Sequence, residues 1–181
     1  MIATKRLELQ PANIELIQAA LDGSVALSAA LNVTVPSTWP PELLDRQALL
    51  YTLNRLTEQP HHAEWMMYFV MLRSQQEGKV LVGCVGHKGP PSEDGTVEVG
   101  YGIVLDHRCK GYATEATNAL IDRIFATPRV RRVIAETLPE LIASQGVLRK
   151  CGFAFIGEGS EPGVIRFELP RARYEERAAG K

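Results

Sequence analysis

The chain has 181 residues, of which 45% are hydrophobic and 23% charged, a composition typical of an ordinary soluble globular protein. Its 20 Lys and Arg against 21 Asp and Glu disfavour nucleic acid as the main ligand, because phosphate backbones are bound by a basic excess. No apolar run approaches the roughly 20 residues of a membrane-spanning helix, and no signal-peptide pattern begins the chain, so we expect a cytoplasmic protein.

The first part of the chain predicts one strand followed by helices. The alternating segment TKRLEL, residues 4–9, predicts the strand. Pro11 suits the first turn of a helix, which we expect to run to about Leu21, where Asp-Gly ends it. A weaker helix is predicted over Ser24–Leu31, and near-helical leucine spacing predicts another over 41–56.

The middle of the chain predicts three strands in succession. EWMMYFVMLR at 64–73 and KVLVGCVGHK at 79–88 are apolar segments joined by the short link SQQEG at 74–78, which predicts a hairpin. A third strand follows over 96–105. Short links of this kind favour antiparallel pairing.

The last part of the chain alternates helices with strands. An apolar stripe predicts a helix over 112–126, and RRVIAET at 131–137 predicts a strand. A helix is predicted over 139–150, followed by a closing hairpin within 152–169. The charged segment 171–181 predicts a frayed helix or tail.

This order of elements predicts an α/β (α+β) fold. Helical crossovers late in the chain favour parallel pairing, in contrast to the antiparallel hairpins before them. We therefore expect a mixed, mostly antiparallel twisted sheet of about seven strands with flanking helices, in one domain covering residues 1–181.

Cysteine and histidine usage does not indicate a metal site. Cys84, Cys109 and Cys151 form no C-x-x-C pair, and an odd, sparse set suits a reducing compartment. The four histidines have no metal-ligand spacing, so no metal is expected.

Two glycines lie on one face of the predicted strand 96–105. Strand alternation places Gly100 and Gly102 beside Glu98 on that face. A face with so little side-chain bulk lets another group approach the backbone, either a ligand or a packed element of the protein.

A basic, glycine-containing turn, DHRCKGYATEA at 106–116, joins this strand to the next helix. A helix start leaves backbone N–H groups unpaired, and Gly111 allows successive N–H groups to face one concavity. Arg108 and Lys110 add positive charge, and the small Ala113 permits close approach. The turn therefore predicts a pyrophosphate site; neither the Walker A pattern nor G-x-G-x-x-G is present.

The segment RCKGYA at 108–113 matches the Q/R-x-x-G-x-G/A signature of the GNAT acetyltransferases, which bind the pyrophosphate of acetyl-CoA. The strand EVGYGI resembles the E-x-G-Y strand of the RimJ/RimL subgroup, the ribosomal-protein N-terminal acetyltransferase type. AETLPELIASQGVLRKCGF and TKRLEL resemble two further segments of that subgroup, in the same order. The resemblance covers almost the whole chain and implies an acetyl-CoA-dependent N-acetyltransferase.

The resemblance also implies where the donor binds. CoA would lie in a V-shaped splay between the strands at 97–105 and 130–137, and an oxyanion hole would polarise the acetyl group. Backbone N–H groups facing pantetheine and the acetyl oxygen are expected at Ile103, Val104 and Leu105. The pyrophosphate is expected to contact the Arg108 side chain and the backbone of Lys110, Gly111, Tyr112, Ala113 and Thr114.

By the same resemblance, Glu98 is the candidate general base, with a structural salt bridge as its alternative. Many family members place a tyrosine on the helix after the fifth strand, and this chain has none there. Ser144 is the remaining hydroxyl near the expected thiol position, so we list it as the second candidate catalytic residue. Leu141 stands where the subgroup has an asparagine that contacts pantetheine, which is the clearest departure.

The acceptor side is less specific. Trp39 and Trp65 are candidates for the walls of an acceptor pocket, with core packing as the alternative for both. The expected partners are acetyl-CoA and an amine, either a protein N-terminus or a small molecule, without nucleic acid or membrane; a homodimer is left open. A catalytically weak CoA-binding relative, acting as a sensor or partner domain, is the alternative function that Leu141 and the missing tyrosine favour.

Overall fold

The computed structural model describes residues 1–42, 44–73 and 78–180, and eight strands form its sheet in the order β1-β2-β3-β4-β5-β6-β8-β7. All neighbouring strands are antiparallel except β5 and β6, which are parallel. The strands are β1 Ile2–Ala3, β2 Leu7–Pro11, β3 Met67–Leu72, β4 Val80–His87, β5 Thr96–Ile103, β6 Arg132–Thr137, β7 Ala154–Glu158 and β8 Ile165–Pro170. The predicted fold class is confirmed.

Six α-helices within the described residues cover the two faces of this sheet. They are α1 Ile14–Asp22, α2 Ser24–Leu31, α3 Arg46–Glu58, α4 Tyr112–Phe125, α5 Ile142–Lys150 and α6 Arg171–Ala179. Ile17, Leu27 and Leu49 of the first three helices pack on one face, in the same cluster as Phe69. The other face carries a second cluster, in which Leu120 and Leu148 come from α4 and α5. Within the described ranges, none of these helices has the length and apolar character needed to cross a lipid bilayer.

The parallel pair β5 and β6 opens into a wedge. The two strands pair only at Thr96–Arg132, Val97–Val133 and Glu98–Ile134. Beyond Glu98, β5 continues beside β4 and β6 continues beside β8, so the two strands separate. The predicted splay is confirmed, and Glu98 lies at its apex.

The start of the first helix was predicted wrongly. Pro11 is the last residue of β2, opposite Tyr68, and α1 begins at Ile14. The carboxamide oxygen of Asn13 accepts a hydrogen bond from the Leu16 N–H at 2.8 Å, so Asn13 is the N-cap. Asparagine is a favoured N-cap because it satisfies an unpaired amide, and here that preference outweighed the proline signal.

Other differences lie at element boundaries. The strand β1 adds an eighth strand to the seven expected. The helix α3 begins at Arg46 rather than at residue 41, because the Asp45 carboxylate caps the Ala48 N–H at 2.8 Å. The predicted link between β3 and β4 at 74–78 lies outside the described residues except for Gly78, as does position 43 of the predicted helix.

The charged C-terminal segment forms α6, whose arginines donate hydrogen bonds to carbonyl groups at the ends of two other helices. Arg171 donates hydrogen bonds to the carbonyl oxygens of Phe125 at 3.0 Å and Thr127 at 2.8 Å, just past the end of α4. Arg177 donates to the Lys150 carbonyl at 3.3 Å, at the end of α5. Tyr174 stacks on Phe125 with ring centroids 4.5 Å apart. The carbonyl groups that helix ends leave unpaired are therefore satisfied by arginines.

His87 at the end of β4 is buried between Trp65 and Tyr68. Burial lowers its pKa from 6.5 to about 4, against the opposing hydrogen bond to the Met66 carbonyl. The unfolded chain therefore binds more protons between these two values. The contribution of the neutral His87 to the free energy of unfolding is fully present above about pH 6.5 and is lost as the pH is lowered towards 4.

We expect His87→Gln to flatten this part of the pH dependence. The difference in the free energy of unfolding between pH 7 and pH 5 should shrink by about 2 kcal/mol, since one pKa unit corresponds to about 1.4 kcal/mol. Urea denaturation across this pH range measures it, with the exposed His61→Gln as the control. If the free energy of unfolding of His87→Gln depends on pH as steeply as that of the wild type, other groups cause the acid sensitivity.

Candidate active site

The turn before α4 has the backbone geometry of an anion site. Gly111 is the N-cap of α4 and lies in the left-handed region, with φ 81° and ψ 3°. Cys109 also has a positive φ, 59°, which is uncommon for a residue with a side chain. Among the described residues, no side chain caps this helix. The first amides of α4 are therefore available to a ligand, at the end of the helix that carries partial positive charge.

The charged side chains of this turn contact the protein itself. Arg108 donates from Nε to the Ile103 carbonyl at 3.0 Å and lies 3.2 Å from the Glu42 carboxylate. Lys110 donates from Nζ to the Asp106 carbonyl at 2.9 Å. These contacts hold the turn against the end of β5, so the backbone of 110–114 is better placed for an anion than the Arg108 guanidinium is.

The amides of β5 alternate between β4 and the wedge. The Val104 N–H donates to the Val82 carbonyl at 3.0 Å, and the Lys88 N–H donates to the Glu98 carbonyl at 2.9 Å. In an antiparallel pair, the backbone N–H groups of the residues between such bonded positions point away from the partner strand. The N–H groups of Tyr101 and Ile103 therefore point away from β4, towards the wedge.

The prediction of three consecutive donors therefore needs correction. The Val104 amide is already bonded within the sheet, whereas the amide of Ile103 remains a candidate. Leu105 lies beyond the strand, in a short 3-10 turn. The Tyr101 amide was missed, although strand alternation applied to β5 would have indicated it.

The two glycines on one face of β5 differ in their surroundings. A Cβ on Gly102 would lie 2.9 Å from the Pro41 side chain, so protein packs against that position. A Cβ on Gly100 would meet nothing within 4 Å. The open approach predicted for this face therefore exists at Gly100, two residues above Glu98.

Glu98 lies on the same open face, next to the wedge apex. Its carboxylate forms an ion pair with Lys88, and its side chain is 24% exposed. The structural alternative considered for Glu98, a salt bridge, is therefore present. The base role stays a prediction, and the acceptor amine would have to reach a carboxylate that Lys88 already contacts.

Ser144 contacts Tyr101 across the wedge. The Tyr101 hydroxyl donates to the Ser144 carbonyl at 2.8 Å, and its oxygen lies 3.1 Å from Ser144 Oγ. Burial raises the pKa of Tyr101, although the Ser144 hydrogen bond acts in the opposite direction. The phenol is therefore held protonated as a donor. α5 has no tyrosine, but the Tyr101 hydroxyl reaches its first turn from β5, a contact that the strand pattern alone did not reveal.

The two tryptophans pack against other aromatic side chains. Trp39 is buried in the core with α1–α3, its ring centroid 6.0 Å from that of Phe69. Trp65 packs 5.1 Å from His87, next to Glu64, which pairs with Arg123 in the last turn of α4. These positions favour core packing, and the acceptor-wall role of both residues stays a prediction without support from their contacts.

Leu141 is the N-cap of α5, partly buried, and in the described chain no side chain caps this helix. We expect Leu141→Asn to stabilise the protein by about 0.5–1 kcal/mol, because asparagine would satisfy an unpaired amide as Asn13 does in α1. Chemical denaturation measures the change, and Leu141→Ala is the control that removes the side chain without adding a cap. Equal destabilisation by both variants would contradict the capping argument.

No group of three or more His, Cys, Asp or Glu side chains within the described ranges is arranged to hold a metal ion. The groups around the wedge are a helix start with unpaired amides, strand amides that face away from β4, a carboxylate and a hydroxyl pair. Such a set of groups fits transfer of an acyl group from a donor that carries a pyrophosphate.

The sequence profile described as Acetyltransferase (GNAT) domain matches residues 6–154. The chain belongs to the GNAT acetyltransferase family and is an acetyltransferase. It is similar to the uncharacterized N-acetyltransferase YjdG of Bacillus subtilis (strain 168), with 27% identity over 161 residues that cover 89% of this chain and 94% of YjdG.

Solved structures with the same fold include two complexes with coenzyme A. One is RimL, a ribosomal L7/L12 alpha-N-protein acetyltransferase in complex with coenzyme A, with TM-score 0.61, 18% identity and coverage of 92% of this chain and 95% of that one. The other is the aminoglycoside acetyltransferase AAC(6')-Ib in complex with coenzyme A, with TM-score 0.61, 16% identity and coverage of 95% and 99%. At these identities the likeness concerns the fold alone.

Proposed function

We propose that this acetyltransferase is of the RimJ/RimL type, uses acetyl-CoA and transfers the acetyl group directly to a primary amine. The observation that carries the proposal is the uncapped start of α4, with Gly111 in the left-handed region, directly beside the wedge between β5 and β6. An anion site and an open strand edge next to each other suit a donor with a pyrophosphate at one end and amide groups along its arm.

The donor would contact backbone more than side chains. The amides of 110–114 would hold the pyrophosphate, and the amides of Tyr101 and Ile103 would face the pantetheine arm and the acetyl oxygen. RimL and AAC(6')-Ib, which share the fold, are both described as complexes with coenzyme A, and this supports the same donor here.

The acetyl thioester supplies an electrophilic carbonyl carbon. The acceptor nitrogen forms a bond to that carbon, and a strand amide of β5 stabilises the oxyanion. Glu98 takes one proton from the nitrogen, directly or through water. The C–S bond then breaks, and the leaving thiolate takes one proton, for which the paired Ser144 and Tyr101 hydroxyls are the candidate donors. The products are an amide and the CoA thiol.

We propose a primary amine as acceptor, on a protein N-terminus or a small molecule. RimL acts on a ribosomal protein and AAC(6')-Ib on an aminoglycoside, so both classes occur on this fold. We propose the cytoplasm as the location, supported by the exposed thiol of Cys109, since a reducing compartment keeps such thiols reduced.

Calorimetric titration with acetyl-CoA tests donor binding, and release of the CoA thiol in the presence of peptides and polyamines tests transfer. We expect saturable binding, and a rise in melting temperature because the ligand binds only the folded state. Absence of binding at millimolar acetyl-CoA, in a protein shown to be folded, would reject the proposal. Binding without thiol release for any amine would instead favour the catalytically weak CoA-binding relative.

A further inference from the structure

Arg6 reaches from the N-terminal segment to the start of α4. Its Nη1 donates to the Lys110 carbonyl at 3.0 Å, and its Nε donates to the Glu115 carboxylate at 2.7 Å. Its guanidinium carbon lies 4.6 Å from the centroid of the Tyr112 ring. One side chain therefore contacts the turn, the first helical residue and the first turn of α4.

The hydrogen bond to Lys110 orients one peptide group. In a planar trans peptide the carbonyl of one residue and the N–H of the next point in opposite directions. Holding the Lys110 carbonyl on Arg6 therefore directs the Gly111 N–H away from Arg6. A free Lys110–Gly111 peptide could rotate, and fixing it removes the entropy cost of ordering this amide when an anion binds.

Arg6 also compensates a negative charge at the anion site. Glu115 lies in the first turn of α4, where its carboxylate would repel a pyrophosphate. Burial favours the neutral carboxyl, but hydrogen bonds from the Thr4 hydroxyl and from Arg6, together with the Arg6 charge, lower the pKa of Glu115 overall. The carboxylate is thus ionised, and the Arg6 cation offsets its negative charge at the start of α4.

We propose that Arg6 is a positioning residue for the donor pyrophosphate, acting through the Lys110–Gly111 peptide and through Glu115. The inference rests on the proposed use of acetyl-CoA. It assigns to the N-terminal segment, 104 residues away in sequence from Lys110, a part in donor affinity that is separate from the chemistry of transfer.

The test compares Arg6→Gln and Arg6→Lys with a matched control. Arg123 pairs with Glu64 at the opposite end of α4 and is 43% exposed against 41% for Arg6, so Arg123→Gln removes the same charge from a similar environment. Each variant is titrated with CoA and with pantetheine, which lacks the pyrophosphate. Thermal denaturation and circular dichroism establish that each variant is folded.

We expect Arg6→Gln to weaken CoA binding on the order of tenfold to a hundredfold, the scale of one hydrogen bond to a charged group. Pantetheine binding should be unchanged, and Arg123→Gln should bind both ligands as the wild type does. Arg6→Lys should bind CoA nearly as weakly as Arg6→Gln, because an ammonium group keeps the charge but lacks the planar guanidinium that contacts both Lys110 and Glu115.

Three results would overturn the inference without rejecting the proposed function. Unchanged CoA affinity in the folded Arg6 variants would reject it while leaving the proposed function intact. An equal loss for CoA and pantetheine would show a general structural role, and full affinity in Arg6→Lys would show that only charge matters. If Arg6→Gln fails to fold, the affinities of Arg6→Lys for CoA and pantetheine test the inference alone. A wild type that binds no CoA would reject the proposed function together with this inference.

Discussion

Glu98→Gln is expected to lower the rate of acetyl transfer at neutral pH by roughly 10²–10⁴-fold, the usual contribution of a general base. Glutamine keeps the size of the side chain and removes its ability to accept the amine proton. Glu98 lies at the wedge apex, on the face of β5 where Gly100 leaves the backbone open. Steady-state thiol release with a saturating amine measures the effect, and CoA affinity should hardly change.

The pH profile separates a base from a residue that binds the acceptor. The loss in Glu98→Gln should shrink at high pH, where more of the amine is already deprotonated, whereas a constant loss would indicate acceptor positioning. The control is Glu168→Gln. Glu168 lies on β8 opposite Ile134 of β6, pairs with Arg132 and is 21% exposed against 24% for Glu98. Near wild-type rates in Glu98→Gln would reject the assignment.

Gly111→Val is expected to weaken CoA binding by on the order of a hundredfold or more. A β-branched residue is a genuine outlier at φ 81°, so the turn must change conformation and the amides lose their alignment. A Cβ there would also lie 3.3 Å from Arg6 Nη2, the side chain that orients this turn. Losing even one charge-assisted hydrogen bond costs about 1.5–3 kcal/mol. Calorimetric titration with CoA measures the loss.

The control for Gly111→Val is Gly163→Val. Gly163 has nearly the same φ, 83°, and a Cβ there would meet nothing within 4 Å. Both variants carry similar backbone strain, about 1–2 kcal/mol for a left-handed residue with a side chain, and only Gly111 lies at α4. Equal CoA affinity in the two variants would contradict the assignment of the turn to the pyrophosphate.

Element boundaries set by local signals that agree, such as the start of α4 at Tyr112, were predicted well from the sequence. The turn before α4 combines a glycine, two cations and an apolar helical stripe within a few residues, and each acts locally. The wedge followed from the family resemblance, which supplied the pairing of β5 and β6. The wrong start of α1 arose where two local signals competed, Pro11 and Asn13, and the capping hydrogen bond decided between them.

Contacts between distant segments were not predicted. Tyr101 and Ser144 are 43 residues apart, and Arg6 and Glu115 are 109 apart, so no spacing rule connects them. Trp39 and Trp65 were candidates for the walls of an acceptor pocket, with core packing as the alternative, and their burial depends on which elements cover them. The Val104 amide was misassigned because three consecutive residues were treated as equivalent, although the sheet alternates their direction.

The arginines of α6 also bear on the order in which the molecule is completed during synthesis. A ribosome makes α4 and α5 before α6, so both helices are synthesised before the arginines that bind their ends. Until Arg171 and Arg177 appear, the carbonyl groups at the ends of both helices have no arginine to bind them. Because β8 ends at Pro170, directly before α6, the β6-β8-β7 part of the sheet and the ends of α4 and α5 are completed by the same late segment of the chain.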